Sequence, residues 1–159
     1  MTRIKLSDYG NTAFEKLIGH NKVVLDKWLE LETVLFRDTK LDKNLLEQVR
    51  RTMAFENECE YCMVKAGRPD FDKSEKRINS ATAFAQLFAT DHKSITNDHF
   101  EILREEFTDQ EISELSSFIS FITASQRLAR IYNLTEEYQF NRVTTIEELK
   151  ITIKEKGNR

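Results

Sequence analysis

Thr108-Asp109-Gln110-Glu111-Ile112-Ser113-Glu114-Leu115-Ser116-Ser117-Phe118-Ile119-Ser120-Phe121-Ile122-Thr123-Ala124-Ser125-Gln126-Arg127-Leu128-Ala129-Arg130-Ile131 carries the longest apolar pattern in the chain. Ile112, Leu115, Ile119, Ile122, Leu128 and Ile131 recur at helical spacings. Thr108 and Glu111, three residues apart just ahead of that run, have the arrangement of a capping box, in which each side chain satisfies a free backbone N–H at a helix start. A long helix with one apolar stripe needs partners to cover it, and the rest of the chain supplies them in kind.

Working outward, Thr96 to Phe107 repeats Phe100, Leu103 and Phe107 at spacings of three and four. Ile78 to Thr90 reads as a helix with Ala81 and Ala83 beside Phe84, Leu87 and Phe88, small residues that permit close packing. Asp42 is placed to cap a helix to about Phe55, with Leu45, Leu46, Val49, Met53 and Ala54 on one stripe. Asn21 to Phe36 repeats Val24, Trp28, Leu31 and Leu35, and a capping-box pair Thr12/Glu15 opens a short first helix that Gly19 ends. Asp38 to Lys40 and Asp70 to Lys76 read as polar connectors. Another capping-box pair, Thr144/Glu147, starts a final helix through about Lys154 within a C-terminal stretch, 135–159.

Composition agrees with an all-α chain. Only 4 of 159 residues are Gly and 1 is Pro, where average usage would give about 11 and 8, so tight β-turns are scarce, which argues against a sandwich or barrel. No linker or repeat divides the sequence, and the expectation is one domain over 1–159 with six to eight helices. A balance of 24 Lys and Arg against 27 Asp and Glu gives a charge of −3, which argues against a nucleic-acid-binding surface. Met1 to Gly10 holds no apolar signal segment, and no run of about 18 apolar residues is present. The expectation is a cytoplasmic protein with no membrane partner.

The chemistry concentrates at Cys59-Glu60-Tyr61-Cys62. A CxxC spacing brings two sulfurs within bonding reach over one helical turn, and a helix beginning at Glu58 or Cys59 would favour thiolate over thiol. The alternative is a pair of small buried hydrophobes. Metal readings fail on ligand count. Structural zinc needs four ligands, and His92 and His99 could complete a set only across the 29 residues between Cys62 and His92, longer than zinc-finger spacing. Haem attachment needs His where Met63 stands. Neither metal nor cofactor is expected, and the three histidines read as surface or capping residues.

The stretch Glu47 to Cys62, an acidic residue on a helix followed about twelve positions later by an Asn-preceded CxxC, resembles the signature of the alkylhydroperoxidase D-like, or carboxymuconolactone decarboxylase, superfamily. Phe107-Thr108-Asp109-Gln110-Glu111-Ile112 and the later Gln126-Arg127-Leu128 resemble that superfamily's next helix start and its Asn/Gln-Arg-Leu element, so the likeness covers roughly Leu45 to Leu134. The resemblance implies a helical bundle of the alkylhydroperoxidase D-like type that assembles into a homo-oligomer, trimer or hexamer. It also implies a peroxidase or disulfide-exchange centre: Cys62 attacks a hydroperoxide or disulfide substrate, Cys59 resolves the product as a disulfide, Glu47 relays protons, and an external dithiol reductant restores the thiols. The relay histidine of the family falls at Ala66 here, and Tyr61 stands where some members carry another His. The decarboxylating branch generally lacks this CxxC. The other functional expectation is a non-catalytic, oligomeric binding or scaffold member with a degenerate site.

Helix geometry constrains the role of Glu47. In one straight helix the twelve residues to Cys59 would span about 18 Å, with side chains about 120° apart, so the chain must turn near Asn57 and Glu58 and fold back. Asn57 is the residue expected to adopt the left-handed conformation of such a turn. The competing reading has Glu47 paired with Arg50 or Arg51. Glu56, Glu58 and Glu60 crowd the cysteines with negative charge, raising the thiol pKa, and Lys65 partly offsets them.

Overall fold

The computed structural model describes residues 1–134. Within them the chain forms seven α-helices and no strand: α1 (Ala13–Ile18), α2 (Lys22–Arg37), α3 (Lys43–Glu56), α4 (Glu60–Ala66), α5 (Lys76–Asp91), α6 (Asn97–Arg104) and α7 (Asp109–Ile131), with a 3-10 turn at His92–Ser94 after α5. The expected tail and its Thr144/Glu147 helix lie outside the described residues.

The helix starts follow the cap residues. Thr108 accepts from the Glu111 N–H while the Glu111 carboxylate accepts from the Thr108 N–H, the reciprocal pair expected at α7. Asn21 caps α2 through Val24, and Asp42 caps α3 through Asn44 and Leu45. At α1 Thr12 accepts from Glu15, but the Glu15 carboxylate reaches one residue further back, to the Asn11 N–H. Gly19 closes α1 for want of space: a Cβ there would stand 2.0 Å from the Tyr9 carbonyl oxygen. Against expectation α6 stops at Arg104, because Thr108 must be extended (φ −73, ψ 161) to cap α7, and the chain leaves the helix ahead of it.

The larger apolar cluster lies between α3, α5 and α7, with Leu45, Leu46, Val49, Met53, Ala81, Ala85, Leu115 and Ile119 buried at its centre. Helix α2 lies over it through Phe36, edge-on to Phe118 at 5.0 Å between ring centroids, and Trp28, 5.1 Å from Phe121. These contacts rotate α2 from its expected setting. Val24 and Leu31 are exposed, and the inward stripe is Leu25, Trp28, Glu32, Leu35 and Phe36. Both stripes are periodic, and the aromatic partners on α7 select between them. Helix α7 likewise departs from expectation over its last two turns. Ile131 faces solvent, and the inward register Ile112, Leu115, Ile119, Ile122 continues through Gln126 and Ala129. A polar residue thus falls in the inward register of each of these helices, Glu32 partly buried on α2 and Gln126 buried on α7.

A smaller cluster sits at the end of α7, where Cys59, Tyr61, Ala129 and Leu134 are buried together and Leu6, Ala13, Phe14 and Cys62 pack against them. It contains the cysteine pair.

Candidate functional site

Helix α3 ends in a two-bond reversal. The Cys59 N–H donates to the Ala54 carbonyl at 3.0 Å and the Glu58 N–H to the Phe55 carbonyl at 3.0 Å, the pattern of a Schellman motif, with Glu58 as its left-handed residue at φ 50. The turn stands where the sequence places it, but Glu58, not Asn57, takes the left-handed conformation. Asn57 keeps φ −87 and turns its amide inward. Helix α7 ends in the same way. Leu134 N–H donates to Ala129 and Asn133 N–H to Arg130, with Asn133 left-handed at φ 49. A Schellman end brings the residue after the left-handed position against the last helical turn. Here those residues are Cys59 and Leu134, and both seat in the same small cluster. The ion pair of Arg130 with Glu58, 3.8 Å, spans the two turns.

The reversal makes Cys59 the N-cap of α4, with its Sγ accepting from the Cys62 N–H at 3.2 Å. Cys59 and Cys62 form a disulfide with Cα atoms 5.2 Å apart. The two cysteines differ in access, since Cys59 is fully buried whereas Cys62 is partly exposed at the edge of the small cluster. Gly67, at φ 76, ends α4.

Helix α4 folds back on α3, the helix that carries Glu47. The Glu47 carboxylate accepts from Arg50 at 2.7 and 2.8 Å and from Arg51 at 2.9 Å, and Arg51 also donates to the Arg68 carbonyl just past α4. Partial burial alone would raise the Glu47 carboxyl, but the hydrogen bonds and charges of both arginines outweigh it and hold the group below its ordinary value. Ala66, where the family histidine would stand, is buried. The Tyr61 hydroxyl is buried and finds no hydrogen-bond partner among the described residues, while the Lys65 ammonium lies over the Tyr61 ring, 4.8 Å from its centroid.

Two features escape the sequence reading. Glu32, on the inward stripe of α2, is pushed above its ordinary value first by burial and then by the charge of Glu15, against the opposing pull of Arg50 and Lys65. It is detectable only from its register with Leu25, Trp28 and Leu35. The other is a polar network beneath the cysteine turn. Asn57 Nδ2 donates to Gln126 Oε1 at 3.0 Å, Gln126 Nε2 to the Arg50 carbonyl at 3.0 Å, Arg127 Nε to Asn57 Oδ1 at 3.0 Å, and Arg127 Nη2 to the Ala89 carbonyl at 2.7 Å. The acidic crowd around the cysteines is partly engaged elsewhere, with Glu56 accepting from Gln86 and Glu58 facing Arg130.

The histidines take other work. His99 Nδ1 accepts from the Thr96 N–H as the cap of α6, and His20 Nε2 lies 2.8 Å from the Lys5 carbonyl. Among the described residues no three His, Cys, Asp or Glu side chains are grouped to hold a metal ion, and no helix is long and apolar enough to cross a membrane.

No protein-family model and no curated protein matches the sequence. Solved structures do match the fold. An uncharacterized peroxidase-related protein from Silicibacter sp. TM1040 is similar with a TM-score of 0.69 at 19% identity, over 76% of this chain and 74% of that one. An alkylhydroperoxidase D core protein, an uncharacterized peroxidase-related protein from Ralstonia eutropha JMP134, is similar with a TM-score of 0.67 at 19% identity, over 79% of this chain and 77% of that one. With its seven described helices and a CxxC at the start of α4, the chain has the alkylhydroperoxidase D-like fold.

Proposed function

We propose that the chain is a thiol-dependent redox protein of the peroxidase-like kind, reducing a hydroperoxide or exchanging with a disulfide through Cys59 and Cys62. The observation that carries this reading is the asymmetry of the bonded pair, one cysteine fully buried with its sulfur facing the Cys62 N–H, the other partly exposed. In the reduced protein the Cys62 thiolate attacks the outer peroxide oxygen. The O–O bond breaks, the alkoxide leaves with a proton as an alcohol, and Cys62 becomes a sulfenic acid. Cys59 then attacks that sulfur and expels water, closing the disulfide. An external dithiol attacks the accessible Cys62 sulfur, and Cys59 departs as a thiolate next to the Cys62 N–H that already faces its Sγ. Two electrons move from the dithiol to the peroxide in each cycle.

Proton transfer falls to a carboxylate in this reading. Glu47, held below its ordinary value by Arg50 and Arg51, is the relay carboxylate. The protein works as a homo-oligomer, trimer or hexamer, in the reducing cytoplasm, where the pair can cycle. Mass spectrometry of both thiols during a peroxide titration of the reduced protein tests this. The expected result is stoichiometric bridge formation, abolished in Cys62→Ala; thiols that persist under a modest peroxide excess would end the reading.

Ala66 favours a second reading, a scaffold or binding module whose site has lost its relay. A histidine general acid–base is worth roughly a hundredfold or more, so a jump of that size in Ala66→His would support the degenerate site, and an unchanged rate would count against it.

A further inference from the structure

We propose that Gln126 and Arg127, acting through Asn57, are positioning residues that set the redox equilibrium of the Cys59–Cys62 pair. The inference rests on the pair being a thiol–disulfide centre, and it adds residues on α7 that no step of that chemistry uses. Gln126 sits in the inward register of α7 between Ile122 and Ala129 and is 3% exposed. A leucine would fill this position, and burying an amide there costs free energy unless its hydrogen bonds are made. They are made to the helix that leads into Cys59 and to its end: one to the Arg50 carbonyl in the middle of α3 and one to the Asn57 side chain in the turn that carries Cys59. Arg127 completes the clamp from the other side, tying Asn57 to the Ala89 carbonyl in the last turn of α5. Two adjacent residues of α7 therefore hold one side chain two residues before the buried cysteine, and anchor it to α3 through the Arg50 carbonyl and to α5 through the Ala89 carbonyl.

The clamp bears on a backbone that would not hold its shape unaided. Glu58 lies between Asn57 and Cys59 with φ 50, a conformation that costs a residue with a side chain roughly 1–2 kcal/mol and persists where the surroundings over-determine it. With Asn57 fixed ahead of it and Cys59 seated behind it in the apolar cluster, the turn keeps the two cysteines at closing distance after the bond is broken. Pre-positioned thiols have a high effective concentration toward one another, so the clamp favours the disulfide. Loosening it favours the dithiol in the exchange where the protein disulfide and two glutathione thiols give two protein thiols and one glutathione disulfide.

Equilibration of the full-length protein in glutathione redox buffers, followed by alkylation and thiol counting by mass spectrometry, tests this. Gln126→Leu keeps the volume and removes both bonds. Arg127→Lys keeps the charge and removes the fork. The control is Gln48→Leu, another buried amide of α3 whose partners, the Asp70 N–H and Asn44, do not touch the cysteine turn. The expected result is an oxidation equilibrium constant at least tenfold lower in Gln126→Leu, about 30 mV, a smaller shift of the same sign in Arg127→Lys, and none in Gln48→Leu even where its melting temperature falls. Wild-type values in both α7 variants, or an equal shift in the control, overturn the positioning role. A wild-type pair that takes no part in the exchange at any buffer ratio overturns the underlying redox reading instead, and the inference with it.

Discussion

Glu58 holds a left-handed backbone without being glycine, and it does so between the clamped Asn57 and the buried Cys59. Replacing it by glycine relieves roughly 1–2 kcal/mol of local strain, offset by up to about 1 kcal/mol of extra freedom in the unfolded chain. The exposed Arg130 partner at 3.8 Å contributes little. Glu58→Gly is therefore expected to stabilise the protein by roughly 0.5–1 kcal/mol, read as a higher urea midpoint; a lower midpoint would mean that the carboxylate contributes more to joining the two Schellman ends than their geometry suggests. At this scale the sequence was informative but displaced by one residue. Cys59, Cys62 and the position of the reversal are legible from CxxC spacing and from the reach a straight helix lacks. Which residue of the reversal turns left-handed is not, because asparagine's tolerance for that conformation competes with its capacity to fill both sides of a buried amide network.

At the scale of the helix, α2 and α7 share a trait: each carries a polar side chain in an otherwise apolar register, Glu32 in one and Gln126 in the other. Periodicity found both helices but misjudged their faces, since exposed Val24 and Leu31 and exposed Ile131 are spaced as well as the residues that are buried. Only the partners, Phe121 and Phe118 for α2, settle the rotation. The polar intruder is a stability lever with a definite sign. Glu32 has a folded-state pKa above its unfolded value, so the folded protein binds the proton more tightly and stability declines as pH rises through the window between the two. Glu32→Gln removes that decline: its stability should exceed the wild type's at neutral pH and converge with it in acid. Glu47 has the opposite sign, its folded pKa lying below the unfolded one. Its stabilisation is present above the unfolded value and is lost as pH falls through the folded value, so Glu47→Gln should be less stable at neutral pH, with the deficit vanishing in acid. Melting temperatures of the two variants across that range check both, and parallel curves would contradict the environments assigned to the two carboxylates.

Over the whole described chain, the apolar interior falls into a large cluster among α3, α5 and α7 and a small one around the cysteines. The small cluster is assembled from distant parts of the sequence. The end of α7 meets the start of α4, Leu6 and Phe14 come from the N-terminal region, and the Arg3 N–H donates to the Tyr132 carbonyl. No local pattern announces such a convergence, which is why the sequence identified the cysteines and yet said nothing of Leu6, Ala129 or Leu134 around them. Trp28, the only tryptophan in the chain, joins the two clusters, with its ring centroid 6.2 Å from Phe14 and 5.1 Å from Phe121. Reducing the disulfide removes the covalent tie in the small cluster and leaves the large one intact. The expected outcome is therefore local: faster amide hydrogen exchange in α4 and in the first residues of the chain, with a change in Trp28 fluorescence, while the clamped turn at Asn57 to Cys59 and the middle of α3, α5 and α7 stay protected. Such sub-global opening is what a segment with few buried contacts of its own allows. Exchange measured before and after dithiol treatment separates this from its rivals, because uniform deprotection would mean the two clusters unfold as one cooperative unit, and unchanged exchange throughout α4 would mean that the segment keeps its packing without the bond.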